Sequence, residues 1–260
     1  MGQALMRGLL AHGVPRRSLL AADPNARTRR DVHRRLQLIV TDDNARVARR
    51  ADILILAVKP QQCPDVIAQI APHLRPHQLV ISIAAGIQLR WLARRLRGAP
   101  LARVMPNLPA TVGCGFSALA FGRAVTPRHR TLAAAIFGAV GDVVELPERL
   151  FDAVTAVSGS GPAYVFFLVE AWQRSARSLG LPEAIARRAV AQTLEGSVRL
   201  LRASALPAST LIEQVASKGG TTEAALKALA ARHVARHFAE AMRAAERRSR
   251  ELSSSGASCS

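Results

Sequence analysis

The sequence predicts an α/β fold: a doubly wound, mostly parallel sheet over residues 1–147, an all-helical part over 148–252, and a disordered tail over 253–260. Two observations predict it. Short aliphatic runs alternate with helical patterns up to Leu146, the rhythm of a parallel sheet built with crossover helices. From Glu148 onward every segment reads helical and none reads as a strand.

The elements follow in order. Residues 3–12 read as a helix, and Ser18–Ala22 as a short strand. Asn25–Arg35 is an Arg-rich helix, Leu36–Val40 a strand and Asn44–Arg50 a short helix. Ile53–Val58 is a continuous aliphatic run, as in a strand buried on both faces. Pro60 opens a helix through His73. Leu79–Ala84 is a strand, Leu89–Arg97 a helix and Leu101–Met105 a strand. Phe116–Phe121 and Val143–Leu146 add strands around the helix Pro127–Gly138. Helices then cover Phe151–Val157, Pro162–Leu179, Pro182–Leu201, Pro207–Ala216, Thr222–Ala231 and His233–Leu252. Prolines stand at first-turn positions, where a missing N–H costs nothing. Long apolar stretches such as AYVFFLVEAW need cover, from a partner subunit or from a monomeric bundle; periodicity does not choose between them.

Composition excludes several classes. Apolar residues make up 49% and charged residues 21%, as in globular proteins. The longest apolar runs, such as Ala51–Val58, hold about eight residues and include Asp52, short of the roughly 20 that a membrane span needs. Cys63, Cys114 and Cys259 are scattered, without metal spacing, and read as reduced cytosolic thiols; no metal site is expected. The start MGQALM suits neither a signal peptide nor a myristoylation motif. The net charge of +18 suggests nucleic acid, but the basic residues are spread along the chain, only Lys59, Lys218 and Lys227 are lysines, and no basic-aromatic stacking platform accompanies them. A cytoplasmic protein without nucleic-acid or membrane partners is the expectation.

Gly2 stands directly before a helix, as the last glycine of a phosphate-binding GxGxxG does, and Asp23 ends the next strand at the offset where an acidic residue binds a ribose hydroxyl. Taken alone this is a weak signal. Four further segments, ILILAVKPQ (53–61), VISIAAGI (80–87), MPNLPA (105–110) and SGSGPAYVF (158–166), followed by VASKGGTTEAAL (215–226), are specific together. In this set and order the chain resembles pyrroline-5-carboxylate reductase from Gly2 to Leu252. GSGPAYVF and GGTTEA are the most specific segments; AVKP and AAG are shared with related reductases.

The resemblance implies reduction of 1-pyrroline-5-carboxylate to L-proline by NADPH or NADH, the last step of proline biosynthesis. It implies a homodimer or higher homo-oligomer with intertwined helical domains and a shared active site. It also implies that a hydrophobic strand and two glycines normally precede Met1-Gly2. About five buried apolar side chains at roughly 2 kcal/mol each, about 10 kcal/mol in all, rest on such a strand, so a chain without it is expected to fold poorly and bind cofactor weakly.

By the same resemblance Ala57, Val58, Lys59 and Pro60 form a cofactor-contacting loop, although a lysine there also suits a solvated surface. Asn44 matches a cofactor-contacting Asn, or simply caps its helix. Ala85 and Gly86, after Ala84, let a nicotinamide approach, or make a tight turn. Asn107 is expected beside the nicotinamide. Gly219, Gly220, Thr221 and Thr222 grip the substrate carboxylate, or cap a helix, and Thr222 is the catalytic candidate that hydrogen-bonds the imine nitrogen or relays its proton. Asp23 favours NADH, whereas Arg27, Arg29 and Arg30 suit a 2′-phosphate, and the expectation leans to NADPH. SGSGP lacks the final glycine of a hydrolase elbow. The alternatives are a truncated, inactive reductase paralogue or a related imine or β-hydroxyacid reductase; the hydroxyacid enzymes need a lysine that is absent between Lys59 and Lys218.

Overall fold

A computed structural model describes residues 1–255 and contains two compact units: Met1–Ser160 together with the chain from Ala245 onward, and Gly161–Ala244. From Glu148 onward the elements are helical among the described residues. The units part later, because Phe151 is buried against Ala118 and Ala120 and keeps its helix with the first unit.

The first unit runs α1 (Gly2–Ala11), β1 (Ala21–Ala22), α2 (Ala26–Leu36), β2 (Val40–Thr41), α3 (Asn44–Arg50), β3 (Ile53–Leu56), α4 (Cys63–Ile70), β4 (Leu79–Ser82), α5 (Leu89–Arg95), β5 (Leu101–Pro106), β6 (Gly115–Phe121), α6 (Pro127–Gly138), β7 (Gly141–Glu145) and α7 (Phe151–Val154). Its strands form two sheets. β1 and β2 pair in parallel, and β3-β4-β5-β6-β7 form a second sheet in that order. All its pairs are parallel except β5 with β6, where Val104 faces Leu119 in antiparallel register.

Four strands are shorter than expected: β3 and β4 each end two residues early, at Leu56 and Ser82, and β1 and β2 keep two residues each. The helix α2 keeps Leu36, and Gln37 then turns into the left-handed region at φ 54°, so LQLIV contributes only Val40 to β2. Leu38 fills the core instead, 1% exposed. Upstream, Arg16–Ser18 form a 3₁₀ turn, which leaves β1 two residues. The side chain of Asn25 starts α2 by accepting from the N–H groups of Arg27 (2.8 Å) and Thr28 (3.3 Å).

The sheet is driven by burial. Every residue of β4 is buried, and Leu79, Val80 and Ile81 are essentially inaccessible to solvent. Each such side chain contributes roughly 2 kcal/mol. Val80 belongs to a cluster with Leu54, Leu56, Ile67 and Leu92 on one face, whereas Leu79 and Ile81 join Leu5, Val104, Leu119 and Phe137 on the other. Helices therefore cover both faces, as in a doubly wound, Rossmann-like fold. Cys63 is buried, which pushes its thiol up to about 11, and Cys114 is exposed; Cys259 lies outside the described residues.

Arg103 is a charge inside this sheet, its side chain 5% exposed. It donates to Glu148 Oε1 at 2.9 Å, and its guanidinium lies 4.8 Å from the centre of the Phe151 ring. Glu148 Oε1 also accepts the N–H of Leu89 at 2.8 Å. One carboxylate thus joins β5, the start of α5 and the entry to α7.

The second unit contains α8 (Gly161–Ser178), α9 (Glu183–Ser204), α10 (Ala208–Val215), α11 (Thr221–Ala231) and the first part of α12 (Val234–Ser255). Few of its side chains are buried: Ala176, Ala186 and Val190. Val165, Phe166, Phe167, Leu168 and Trp172 of α8 lie largely in solvent, with Phe167 69% exposed. By length and composition alone the helical run Glu148–Ser178 is long and apolar enough to cross a membrane, although Ser158, Ser160 and Glu170 interrupt it.

The end of α12 belongs to the first unit. Asp152 Oδ1 accepts from the hydroxyls of Ser249 (2.7 Å) and Ser253 (3.2 Å), and Ser253 is 2% exposed. The helix accordingly continues through Ser255, where a disordered tail was expected from 253; residues 256–260 lie outside the described residues.

Candidate active site

Three turns leave the same edge of the parallel strands. In register, Leu56 of β3 pairs with Ser82 of β4, and Ser82 with Arg103 of β5. Ala57–Pro60, Ala84–Gly86 and Asn107 therefore follow the carboxyl ends of three neighbouring strands, where ligands bind in open α/β sheets.

The start of α1 meets the first of these turns. A β-carbon on Gly2 would lie 3.4 Å from that of Ala57, so two small residues face each other. Met1 gives α1 no side-chain cap, and the first turn contains no acidic residue. The first intrahelical bonds begin at the N–H of Ala4, which leaves those of Gly2 and Gln3 without a backbone partner among the described residues. An uncapped helix start beside small residues fits a diphosphate.

Asp23 extends the β1–β2 ladder through its N–H to Thr41 at 3.0 Å, and its carboxylate accepts the N–H of Asn25 at 2.8 Å. The three expected arginines differ. Arg29 is committed internally: it donates to the carbonyls of Asp23 and Pro24, both at 2.9 Å, and pairs with Asp42 at 3.4 Å. Arg27 and Arg30, with Gln3 and Arg34, line an open concavity beside α2. Neither Arg27 nor Arg30 has an ion-pair partner among the described residues, so these two fit a phosphate and Arg29 does not.

Asn44 is not the cap of α3. Asp43 is, accepting the N–H of Arg46 at 3.0 Å, and Asn44 Nδ2 donates to Gln69 Oε1 at 2.8 Å. The side chain of Lys59 is exposed; its N–H donates to Gln62 Oε1 at 3.3 Å. Gly86 needs its freedom: its φ is +77°, and a β-carbon there would sit 3.4 Å from the carbonyl oxygen of Leu252. The AAG turn is therefore backed by the end of α12.

Asn107 is held from both ends of its amide. Its Oδ1 accepts the N–H of Phe116 at 2.9 Å, and its Nδ2 donates to Ser158 at 3.0 Å. The SGSGP segment thus enters through Ser158, a partner that the sequence reading did not single out. Ser158 lies in a π-helical stretch, Thr155–Gly159. Such bulges gather at functional sites.

In the second unit, Gly219–Thr222 lead into α11. Gly219 has φ +74°, and its N–H donates to the carboxylate of Glu223. The N–H of Gly220 donates to Ser217 at 3.0 Å. The N–H groups and hydroxyls of Thr221 and Thr222 have no partner among the described residues. Of the four expected carboxylate ligands, these two residues retain free donors. Lys227 pairs with Glu223 at 2.9 Å; Lys227 and, next, the Gly219 N–H hold the Glu223 carboxyl below its ordinary value.

Residues 148–252 match the family model described as pyrroline-5-carboxylate reductase dimerisation, and residues 1–86 match the one described as NADP oxidoreductase coenzyme F420-dependent. The chain is 40% identical over 254 residues to the pyrroline-5-carboxylate reductase of Synechocystis, covering 97% of this chain and 94% of that one. It is 39% identical to the one from Pseudomonas aeruginosa, covering 97% and 93%. The structure of a pyrroline-5-carboxylate reductase from Coxiella burnetii superposes with a TM-score of 0.91 at 32% identity, over 96% of this chain and 94% of that one. The Plasmodium falciparum pyrroline carboxylate reductase with NADP bound gives 0.88 at 29%, over 97% and 94%.

Proposed function

The chain belongs to the pyrroline-5-carboxylate reductase family, and from that premise we propose that it reduces 1-pyrroline-5-carboxylate to L-proline, the last step of proline biosynthesis, at the expense of NAD(P)H. The observation that carries this reading on the chain itself is the pair of free donors at Thr221 and Thr222. When bound, the nicotinamide supplies a hydride to the imine carbon and leaves oxidised. The protein's residues position and protonate. The N–H groups of Thr221 and Thr222 hold the substrate carboxylate at the start of α11, where the helix dipole favours an anion. The Thr222 hydroxyl hydrogen-bonds the imine nitrogen or relays its proton through water, so that the nitrogen gains a proton as the carbon gains the hydride.

On the cofactor side, the start of α1 at Gly2 receives the diphosphate, and Ala57–Pro60, Ala85 and Gly86 leave room for the rest. Asn107 keeps its turn in place, and Asn44 lies at the start of α3. Arg27 and Arg30 receive a 2′-phosphate and give the preference for NADPH, although Asp23 stands near enough in sequence to favour a ribose hydroxyl. Replacing both arginines by leucine raises KM for NADPH about tenfold, as for the loss of a charge-assisted hydrogen bond. KM for NADH stays within about twofold, since NADH has no phosphate to lose. Steady-state kinetics with both cofactors check this, and an equal rise for the two removes the assignment.

The exposed apolar face of α8 is assigned to a second copy of the chain, in a homodimer or a larger homo-oligomer. The free thiols of Cys63 and Cys114 support a cytoplasmic location. Consumption of NADPH absorbance in the presence of pyrroline-5-carboxylate tests the activity directly. Turnover with proline as product supports the reading. Tight cofactor binding without turnover leaves an inactive relative, and turnover of other imines or hydroxyacids alone replaces the substrate.

A further inference from the structure

We infer that Glu223 is a positioning residue of the substrate-carboxylate site, which it builds from inside by holding the loop at Gly219. The inference rests on the assignment of Gly219–Thr222 to the substrate carboxylate. Gly219 stands in the left-handed region at φ +74°, a conformation that glycine adopts freely and also leaves freely. Its N–H donates to the Glu223 carboxylate four residues on, inside the first turn of α11. The carboxylate is fixed in turn by Lys227 one helical turn further, at 2.9 Å. The chain Lys227–Glu223–Gly219 therefore ties the loop to the body of the helix.

This arrangement assigns the donors. Glu223 takes the N–H of Gly219, and the Ser217 carbonyl takes that of Gly220. Within Gly219–Thr222, the groups left to meet an incoming carboxylate are the N–H and hydroxyl of Thr221 and of Thr222. Lys227 also offsets the negative charge that Glu223 brings close to an anion site; without that pairing, two carboxylates would repel each other. Glu223 touches neither substrate nor cofactor in this account. It acts through the loop.

The test compares Glu223→Leu with Glu223→Gln, whose amide oxygen still accepts the Gly219 N–H. Glu223→Leu is expected to raise KM for pyrroline-5-carboxylate about tenfold, the scale of one lost hydrogen bond to a charged group. KM for NADPH should stay within about twofold, and Glu223→Gln should stay within about threefold of the unaltered chain in both. Amide hydrogen exchange at Gly219, read without substrate, should speed up in Glu223→Leu and not in Glu223→Gln. An unchanged substrate KM in Glu223→Leu overturns the inference. So does a lower KM in both variants, which would make Glu223 a competitor of the substrate. If the unaltered chain does not turn over pyrroline-5-carboxylate, the functional reading fails by itself. Gly219 exchange then still decides whether Glu223 holds the loop, and an unchanged rate in Glu223→Leu overturns it.

Discussion

Replacing Thr222 by valine lowers kcat/KM for pyrroline-5-carboxylate by about 100-fold, the upper end expected for a hydrogen bond to a charged group worth about 1.5–3 kcal/mol at roughly 1.4 kcal/mol per tenfold. Valine keeps the branched shape and the backbone N–H of Thr222 and removes only the hydroxyl. The loss should fall on kcat more than on KM, because the backbone donors of Thr221 and Thr222 still hold the carboxylate. Thr222→Ser retains the hydroxyl and should keep activity within about fivefold, its methyl loss being a packing change alone. Kinetics on the three proteins at saturating NADPH decide it: a fully active valine variant removes Thr222 from the chemistry. The five motifs contain no histidine, so the result also tells whether this hydroxyl or another source supplies the proton.

Arg103→Met destabilises the first unit by about 3 kcal/mol, the low end for breaking a buried ion pair. The low end applies because Glu148 is 28% exposed and regains some water. Methionine fills much of the space of the arginine stem, so the charge is what is lost. Glu148 would keep the Leu89 N–H as its remaining donor, and Phe151 would lose the cation above its ring. For a chain of this size 1 kcal/mol moves the midpoint by roughly 2–4 °C, so the melting temperature should fall by about 6–12 °C. Calorimetry at one fixed protein concentration, which an oligomer requires, checks it. A shift under about 2 °C would mean that the pair only breaks even with an apolar replacement, as some buried pairs do.

The strands that were legible in the sequence are those whose burial leaves no choice. The runs read as strands at Ile53–Val58 and Leu79–Ala84 do begin strands at Ile53 and Leu79, each ending two residues early, at Leu56 and Ser82. Leu36 carried no such mark, because the same leucine closes an amphipathic helix or opens a strand, and the left-handed Gln37 decided for the helix. The antiparallel direction of β6 was invisible for a simpler reason: a buried strand has the same composition whichever way it runs. At the site, the glycines and threonines of 219–222 announced themselves by type. Their division of labour did not, since it depends on which carboxylate and carbonyl reach which N–H, and Glu223 reads from sequence as an ordinary first-turn acid. Asn44 shows the reverse. Asn and Asp cap equally well, and in Asp43-Asn44 the structure gives the cap to Asp43. Ser253 was read as tail because serines are poor helix formers, and its hydroxyl is held by a carboxylate that lies 101 positions earlier in the chain.

That last contact has a consequence for synthesis. The first unit is discontinuous: Ser249 and Ser253, which complete it, are made 97 and 101 residues after Asp152. At roughly 5–20 residues per second, a ribosome takes several seconds to deliver them. During that interval Gly161–Ala244 is translated, while the Asp152 carboxylate and the turn at Gly86 still lack their cover. A nascent chain stalled before Ser249 carries the whole of Gly161–Ala244 and an unfinished nucleotide-binding unit. The first unit therefore cannot close until the last turns of α12 reach Asp152 and the turn at Gly86.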